Sequence, residues 1–199
     1  RDGRPPSDDS VERILELVNH KAFRIENDVM SFERPGMSVT LDGIAKGFIV
    51  DRTKDVLLRA GAERVMVNAG GDIATADGSG INPWTVGVQD PDDEQGIVTV
   101  VRLDGVSLAT SGDYMQSFTN DRTHHHIVDP RTGRSPKEVA SVSVVHPSAM
   151  WADAYATALL VMGTADGMTM VEASEGVDGL FLNKQGERTA SSGFAARGA

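Results

Sequence analysis

Apolar residues recur at two kinds of interval along this chain of 199 residues. Spacings of three and four residues, typical of helices, occur in four segments: 7–18, 44–60, 147–163 and 165–175. Short extended runs between turns predict a hairpin at 22–33 and strands at 37–41, 64–68, 84–89, 97–103, 106–109, 124–129, 139–146 and 179–183. Helices and strands do not alternate strictly. We therefore predict an α+β fold with a mixed, largely antiparallel sheet and flanking helices, in a single domain over residues 1–199.

The helix predicted at 44–60 carries an apolar stripe that we expect to be buried. Its members are Ile44, Phe48, Ile49, Val56 and Leu57. Gly61 is well placed to end this helix in a left-handed conformation. With the extended run at 37–41 before it, the local pattern is strand, tight turn, helix.

The net charge of the chain disfavours some classes of binding partner. Its 19 basic and 29 acidic residues give a formal charge of −10. Such a chain is not expected to bind nucleic acid or an anionic membrane through general attraction, so a bound phosphate must be held by local groups. The chain contains no cysteine, which excludes disulfides, thiolate ligands and thiol catalysis. No apolar stretch approaches the roughly 20 residues that span a bilayer.

Two glycine-containing turns follow apolar runs. The first, DGIAKG at 42–47, leads from a predicted strand into a helix. Free backbone N–H groups and the positive end of the helix dipole favour an anion there, and Lys46 adds an ammonium group. Gly43 and Gly47 are equally well explained by a tight turn and close helix packing.

The second turn lies in VNAGGD at 67–72. Gly70 and Gly71 let a ligand approach the backbone, and Asp72 can bind a ligand hydroxyl. A plain turn shaped by the same three residues is the alternative interpretation.

An aspartate and a threonine interrupt the apolar helix at 147–163. Asp153 and Thr157 are four residues apart, so their side chains share one helix face. Carboxylate and hydroxyl oxygens suit a hard cation such as Mg²⁺, which takes one or two carboxylates and substrate phosphates. The alternative is a carboxylate favoured by the helix start, with a threonine bonded back to the preceding turn.

Hydroxyl residues and histidines occur together in LATSGDY and HHHIVDPRTGRSP. If 124–129 is a strand, His124 and His126 face one side and His125 the other, so the triplet is not a zinc site on a single face. One histidine near a phosphate can act as a general base or a donor, and a solvated histidine at a strand end is the alternative.

Six blocks of sequence together resemble the ApbE family of FAD:protein FMN transferases. They are LDGIAKGFIVDR, VNAGGDI, WTVGVQDP, LATSGDY, HHIVDPRTGRSP and SVVHPSAMWADAYATALLVMG. They follow the family's order at about its spacings, from the first helix almost to the end of the chain. The resemblance implies an α+β enzyme that binds FAD, uses Mg²⁺, and moves FMN onto a threonine or serine hydroxyl of an acceptor protein, releasing AMP.

The resemblance also implies roles for individual residues. The Mg²⁺ ligands would be the Asp153 carboxylate, the Thr157 hydroxyl and the Ala45 carbonyl. His126 or Asp113 would take the proton of the attacking hydroxyl. The residues that contact FAD would be Gly43, Ala45, Lys46, Gly70, Gly71, Asp72, Thr110, Ser111 and Gly112. Asp42 stands where the family commonly has glycine, which adds a carboxylate beside the phosphate turn.

Family members ordinarily carry a substantial segment ahead of this region, preceded by an export or lipoprotein signal. We therefore expect this chain to be the C-terminal part of a longer protein, in the periplasm or at the outer face of the cytoplasmic membrane. The expected acceptor belongs to membrane electron-transport machinery. Two alternative activities use the same site: an Mg²⁺-dependent FAD pyrophosphatase that yields FMN and AMP, and a non-catalytic flavin-binding module.

Overall fold

The computed structural model describes residues 6–77, 82–93 and 95–198. Residues 1–5 and 199, at the two ends of the predicted domain, lie outside the described residues. The helices are α1 (Asp8–Leu15), a short 3₁₀ helix (His20–Ala22), α2 (Ala45–Arg59), α3 (Ala149–Met162), α4 (Thr164–Ala173) and α5 (Ser192–Ala195). The strands are β1 (Phe23–Glu26), β2 (Val29–Phe32), β3 (Arg64–Ala69), β4 (Asp72–Asp77), β5 (Trp84–Gln89), β6 (Ile97–Leu103), β7 (Ser107–Gly112), β8 (Val139–His146), β9 (Asp178–Asn183) and β10 (Arg188–Ala190).

Six strands form the central sheet, in the order β10-β9-β8-β7-β4-β3, and every neighbouring pair among them is antiparallel. The pairs β1-β2 and β5-β6 form two separate hairpins. The predicted α+β class with a largely antiparallel sheet is confirmed. Among the described residues, no helix is both long and apolar enough to cross a membrane.

The two faces of the central sheet bury different partners. On one face, Ala109, Val142, Val144 and Phe181 pack with the apolar residues of α3. On the other face, a second core joins the sheet to the β5-β6 hairpin; it includes Ile73, Leu108, Val145, Val88 and Val101. Because side chains alternate along a strand, residues 109 and 111 of β7 face α3, whereas 108 and 110 face the hairpin.

Helices α2 and α3 approach each other closely at Gly47. A β-carbon at this position would lie 2.3 Å from the carbonyl oxygen of Ala149, so only glycine permits the contact. Asp51, one turn further along α2, accepts hydrogen bonds from the Ser148 hydroxyl at 2.6 Å and from the N–H groups of Ala149 and Met150 at 3.0 Å. Asp51 therefore caps the N-terminus of α3 from a neighbouring helix.

The capping hydrogen bonds lower the pKa of Asp51. Partial burial alone would raise the pKa of its carboxyl group. The hydrogen bonds from Ser148, Met150 and Ala149, helped by Lys54 at 3.5 Å, outweigh burial and hold the pKa below its ordinary value. The ionised carboxylate is thus part of the joint between α2 and α3.

The prediction that the apolar stripe of α2 is buried is wrong. Phe48 is 49% exposed and Ile49 60% exposed, and Val56 and Leu57 are exposed as well. The residues of α2 that are buried are Gly47 and Val50. Helix α2 meets α3 through its smallest residue, so the large apolar side chains lie on the sides that the described chain leaves uncovered.

Two predicted strands are absent from the described residues. Residues 37–41 form no ladder; Leu41 instead accepts hydrogen bonds from Ile44 and Ala45 as the chain enters α2. Residues 124–129 make two isolated bridges, between Ser117 and His125 and between Asp129 and Arg134, instead of a strand. The Ser135 hydroxyl accepts from the His125 N–H and donates to its carbonyl, which replaces a strand partner at this point.

Two further strands, β4 and β10, were not predicted. β4 begins immediately after the glycine turn, at Asp72, and its alternating alanine and threonine residues give little apolar signal. β10 has only three residues, all exposed. Without β4 the sequence could not show that the second glycine turn closes a hairpin.

Candidate active site

The first glycine turn places the start of α2 against one face of α3. The N–H of Gly47 donates a hydrogen bond of 3.0 Å to Asp153 Oδ2. At the other end of the turn, the β-carbon position of Gly43 lies 3.5 Å from Thr157 Oγ1. Ala45, the first residue of α2, lies between these two contacts in the chain. The turn therefore runs along the Asp153–Thr157 face of α3.

The second glycine turn is the two-residue loop of the β3-β4 hairpin. Ala69 pairs with Asp72, and Gly70 and Gly71 between them have φ values of 60° and 100°. Both positive values favour glycine, because a side chain is strained in this conformation. The Asn68 side chain accepts a hydrogen bond from the Gly71 N–H at 3.0 Å. Hairpin geometry accounts for the two glycines, and nothing lies within 4 Å of their β-carbon positions.

The two turns meet through an ion pair. Lys46 Nζ lies 3.2 Å from Asp72 Oδ1, and the Asp72 side chain is 1% exposed. Burial, and next the neighbouring charge of Asp153, raise the pKa of Asp72 to about 6, although Lys46 acts in the opposite direction. Two carboxyl groups from distant parts of the chain are therefore held side by side with one ammonium group.

Strand β7 contributes a hydroxyl group to the same place. The hydroxyls of Ser111 and Thr157 are 3.0 Å apart and share a hydrogen bond. We refer to Lys46, Asp72, Ser111, Asp153 and Thr157 as the carboxylate site. The hydroxyl of Thr110 points to the other face of the sheet and bonds to Ser143 at 2.7 Å. Gly112, the last residue of β7, packs against the Tyr114 ring.

Asp113 lies in a separate buried ion-pair network. Its side chain is 1% exposed, with Lys184 Nζ at 3.0 Å and Arg122 Nη1 at 3.6 Å. Arg122 also pairs with Asp92 at 3.0 Å, and its carbonyl accepts from Lys184 Nζ. Neither of these two cations belongs to the carboxylate site. The network instead ties the segment after β7 to two other parts of the chain.

The three histidines differ in environment. His125 is buried, with Nε2 donating to the Pro136 carbonyl at 3.1 Å, and its pKa is lowered chiefly by desolvation. His126 is exposed and its Nδ1 donates to the Gln116 carbonyl at 3.3 Å, which leaves Nε2 as the acceptor of the neutral ring. Among the described residues, no hydrogen bond or ion pair joins His126 to the carboxylate site.

The donor set of the carboxylate site consists of oxygen atoms. The described residues contain no group of three or more histidine and acidic side chains able to hold a metal ion. A cation here would use the two carboxyl groups with hydroxyl or carbonyl oxygens, which is the donor chemistry of Mg²⁺ rather than of Zn²⁺.

Sequence reasoning grouped Asp153 with Thr157 but missed the pairing of Asp72 with Asp153. It also missed Asp51 as the cap of α3. The only local signal was a carboxylate one helical turn after Gly47, on the side of α2 that meets α3. Partners that lie far apart in the chain leave no periodic pattern.

Comparison with known proteins agrees with this architecture. The ApbE family model matches residues 1–181. An FAD:protein FMN transferase of Vibrio cholerae is 35% identical over 177 residues, covering 85% of this chain and 52% of that protein. One from Treponema pallidum is 34% identical over 212 residues, covering 96% of this chain and 58% of that protein.

Solved structures show the same fold. The ApbE protein of Thermotoga maritima superposes with a TM-score of 0.90 at 31% identity, covering 98% of this chain and 65% of that one. The flavin transferase ApbE of Vibrio cholerae superposes with a TM-score of 0.83 at 33% identity, covering 98% of this chain and 64% of that one. The chain has an ApbE-type α+β fold and belongs to the ApbE family. It spans about half the length of the curated relatives that it matches.

Proposed function

We propose that this chain carries the catalytic site of an FAD:protein FMN transferase, which moves FMN from FAD to a threonine or serine hydroxyl of an acceptor protein and releases AMP. The observation that carries the proposal is the meeting of the two glycine turns at Lys46 and Asp72, beside Asp153 and Thr157. A pyrophosphate substrate needs cationic groups and backbone donors. A chain of charge −10 supplies them only at such a local site.

The residues present fit Mg²⁺. The donors are oxygens, and Asp72 Oδ2 is a buried carboxyl oxygen with no hydrogen-bond partner among the described residues. We propose that the Asp153 carboxylate, the Thr157 hydroxyl and the Ala45 carbonyl hold the ion. When bound, Mg²⁺ offsets the charge of the phosphate oxygens and of the departing AMP.

The chain's own groups position the substrate in this proposal. Lys46 and the backbone of the 42–47 turn bind the pyrophosphate, and the Gly70-Gly71 turn lies against the dinucleotide. The acceptor hydroxyl oxygen forms a bond to the FMN-side phosphorus. The bond from that phosphorus to the bridging oxygen breaks, and AMP leaves with this oxygen. We propose His126 Nε2 as the group that takes the hydroxyl proton.

The cellular location and the acceptor that we propose are those expected for a member of the ApbE family. We propose a location in the periplasm or at the outer face of the cytoplasmic membrane, and an acceptor in membrane electron-transport machinery. The pyrophosphatase and the flavin-binding module would use the same pyrophosphate and metal groups. In the pyrophosphatase, water attacks the phosphorus instead of a protein hydroxyl. In the flavin-binding module, no group attacks it.

A calorimetric titration tests the site first. The unaltered chain is titrated with FAD in Mg²⁺ and again in EDTA, and the titration is repeated with Asp153→Ala. We expect binding that requires Mg²⁺ and is lost in the variant. Glu172→Gln is a matched control, because it also removes one carboxylate charge, but from an exposed position on α4 outside both glycine turns.

Product analysis then separates the three activities. FAD, Mg²⁺ and a bacterial membrane fraction are incubated with the chain, and AMP, FMN and protein-bound flavin fluorescence are measured. AMP release that matches the appearance of a fluorescent protein band indicates the transferase. AMP with an equal amount of free FMN, independent of the membrane fraction, indicates the pyrophosphatase. FAD binding without AMP release would overturn the proposed catalysis in favour of a binding module.

A further inference from the structure

Asp72 is a buried carboxyl group that the fold leaves half satisfied. One oxygen, Oδ1, lies 3.2 Å from Lys46 Nζ. The other, Oδ2, is buried and has no donor among the described residues, so only a proton shared with the Asp153 carboxyl group would satisfy it. When both carboxyl groups are ionised the oxygen is unsatisfied, which is costly for the folded protein, so its retention requires a reason beyond packing.

The neighbour of Asp72 makes the arrangement more costly. Asp153 is also buried, at 6% exposure, and its charge acts directly on Asp72. The carboxyl group of Asp153 receives one hydrogen bond from the Gly47 N–H. Two buried carboxyl groups thus face each other with a single ammonium group, and that lysine side chain is 44% exposed. The cluster has one positive charge fewer than it needs.

A turn-shaping role does not explain these contacts. The β3-β4 turn is already defined by Gly70, Gly71 and the Asn68 side chain, and the Asp72 carboxyl group is not needed for it. A structural ion pair with Lys46 would account for Oδ1 but not for the buried Oδ2. An oxygen enclosed beside a second carboxylate is the environment of a small cation rather than of a sugar hydroxyl.

We infer that Asp72 is the second carboxylate of the cation site, and that the Lys46 ammonium group balances the charge of Asp72 until the cation binds. This inference rests on the proposed function, because the cation is the Mg²⁺ of that proposal. Binding of a divalent cation beside Asp72 and Asp153 then frees the Lys46 ammonium for the pyrophosphate. Lys46 and the cation therefore compete for Asp72 in the absence of FAD.

The experiment uses Mn²⁺ as a probe of the whole 199-residue chain. Free Mn²⁺ is measured by its electron paramagnetic resonance signal during titration, without FAD and with it. The variants are Asp72→Asn, Asp153→Asn, Lys46→Met and the control Glu172→Gln. Circular dichroism and urea unfolding show whether each variant is folded.

We expect Asp72→Asn to weaken Mn²⁺ binding by more than the roughly 10- to 100-fold that loss of an outer-shell partner of a metal ligand causes, because Asp72 is inferred to belong to the site itself. Lys46→Met should bind Mn²⁺ more tightly without FAD, because no ammonium competes for Asp72. Glu172→Gln should bind like the unaltered chain, because Glu172 is an exposed carboxylate on α4, outside both glycine turns. The Lys46→Met result supports or contradicts the inference even if Asp72→Asn does not fold.

The outcomes separate the two proposals. If Asp153→Asn loses Mn²⁺ while Asp72→Asn retains it, the present inference is overturned and the proposed metal site stands. If Lys46→Met binds Mn²⁺ no more tightly than the unaltered chain, the exchange between Lys46 and the cation is overturned. If the unaltered chain binds no Mn²⁺ with FAD present, both proposals fail.

Discussion

Asp72→Asn should stabilise the metal-free protein at neutral pH, which is unusual for a change at a buried, charged residue. Asparagine keeps the size of the side chain but has no charge to place beside Asp153. The pKa of Asp72 is about 6 in the folded protein, against an ordinary value of 3.8. A difference of about two pKa units corresponds to roughly 3 kcal/mol in the free energy of unfolding.

The sign of the effect depends on pH. The folded protein binds the Asp72 proton more tightly than the unfolded chain, so the unaltered protein loses stability as pH rises from about 4 through about 6. Above about pH 7 both states have released the proton, and the loss is complete. The asparagine variant does not titrate at this position. Its advantage should therefore be small at pH 4 and close to its full value at pH 8.

Urea unfolding in EDTA measures this difference. Both proteins are unfolded at pH 4, 6 and 8, followed by circular dichroism, and the free energies of unfolding are compared at each pH. Comparing the two proteins at the same pH cancels the contributions of other carboxyl groups. If Asp72→Asn is instead less stable and its deficit grows as pH rises, the ion pair of Asp72 with Lys46 outweighs the repulsion from Asp153, and the argument from charge crowding is wrong.

Three further predictions concern the supports of the site. Gly47→Ala should destabilise the protein by about 1–3 kcal/mol and abolish Mn²⁺ binding, because the new β-carbon would lie 2.3 Å from the Ala149 carbonyl oxygen. Urea unfolding and Mn²⁺ titration measure the two effects, and unchanged values would contradict the prediction. Asp51→Ala should lower the free energy of unfolding by roughly 2–3 kcal/mol at pH 7, as measured by urea unfolding. The difference between the variant and the unaltered protein should shrink as pH falls below 3.8 and through the lowered pKa of Asp51. A loss of stability that is independent of pH would refute the capping role. Asp113→Asn should lower the melting temperature yet leave the Mn²⁺ affinity intact, because its ion pairs are separate from the carboxylate site; weakened Mn²⁺ binding would show otherwise.

The exposed side of α2 illustrates a limit of pattern analysis. The periodicity correctly predicted a helix in this segment, but the large apolar residues Phe48 and Ile49 are exposed and Gly47 is the buried contact. Periodicity identifies the faces of a helix. It does not identify which face a neighbouring element covers, and a glycine contributes no apolar signal although it permits the closest approach.

The candidate site was only partly visible in the chain. The composition and motifs of the sequence determined the fold class, the net charge, the two glycine turns and the Asp153–Thr157 helix face. Turn chemistry and helical spacing act between near neighbours, and a sequence records them directly. Family resemblance added expected roles, including those of Ala45 and His126.

Tertiary structure alone decided which of these groups meet. It paired Lys46 with Asp72, set Asp153 beside them, and moved Asp113 into a separate ion-pair network. It also turned Thr110 to the face of the sheet opposite Ser111. Contacts between distant segments depend on strand order and on how α2 and α3 pack. The energy of a buried charge depends on its final neighbours, so neither could be obtained from local pattern.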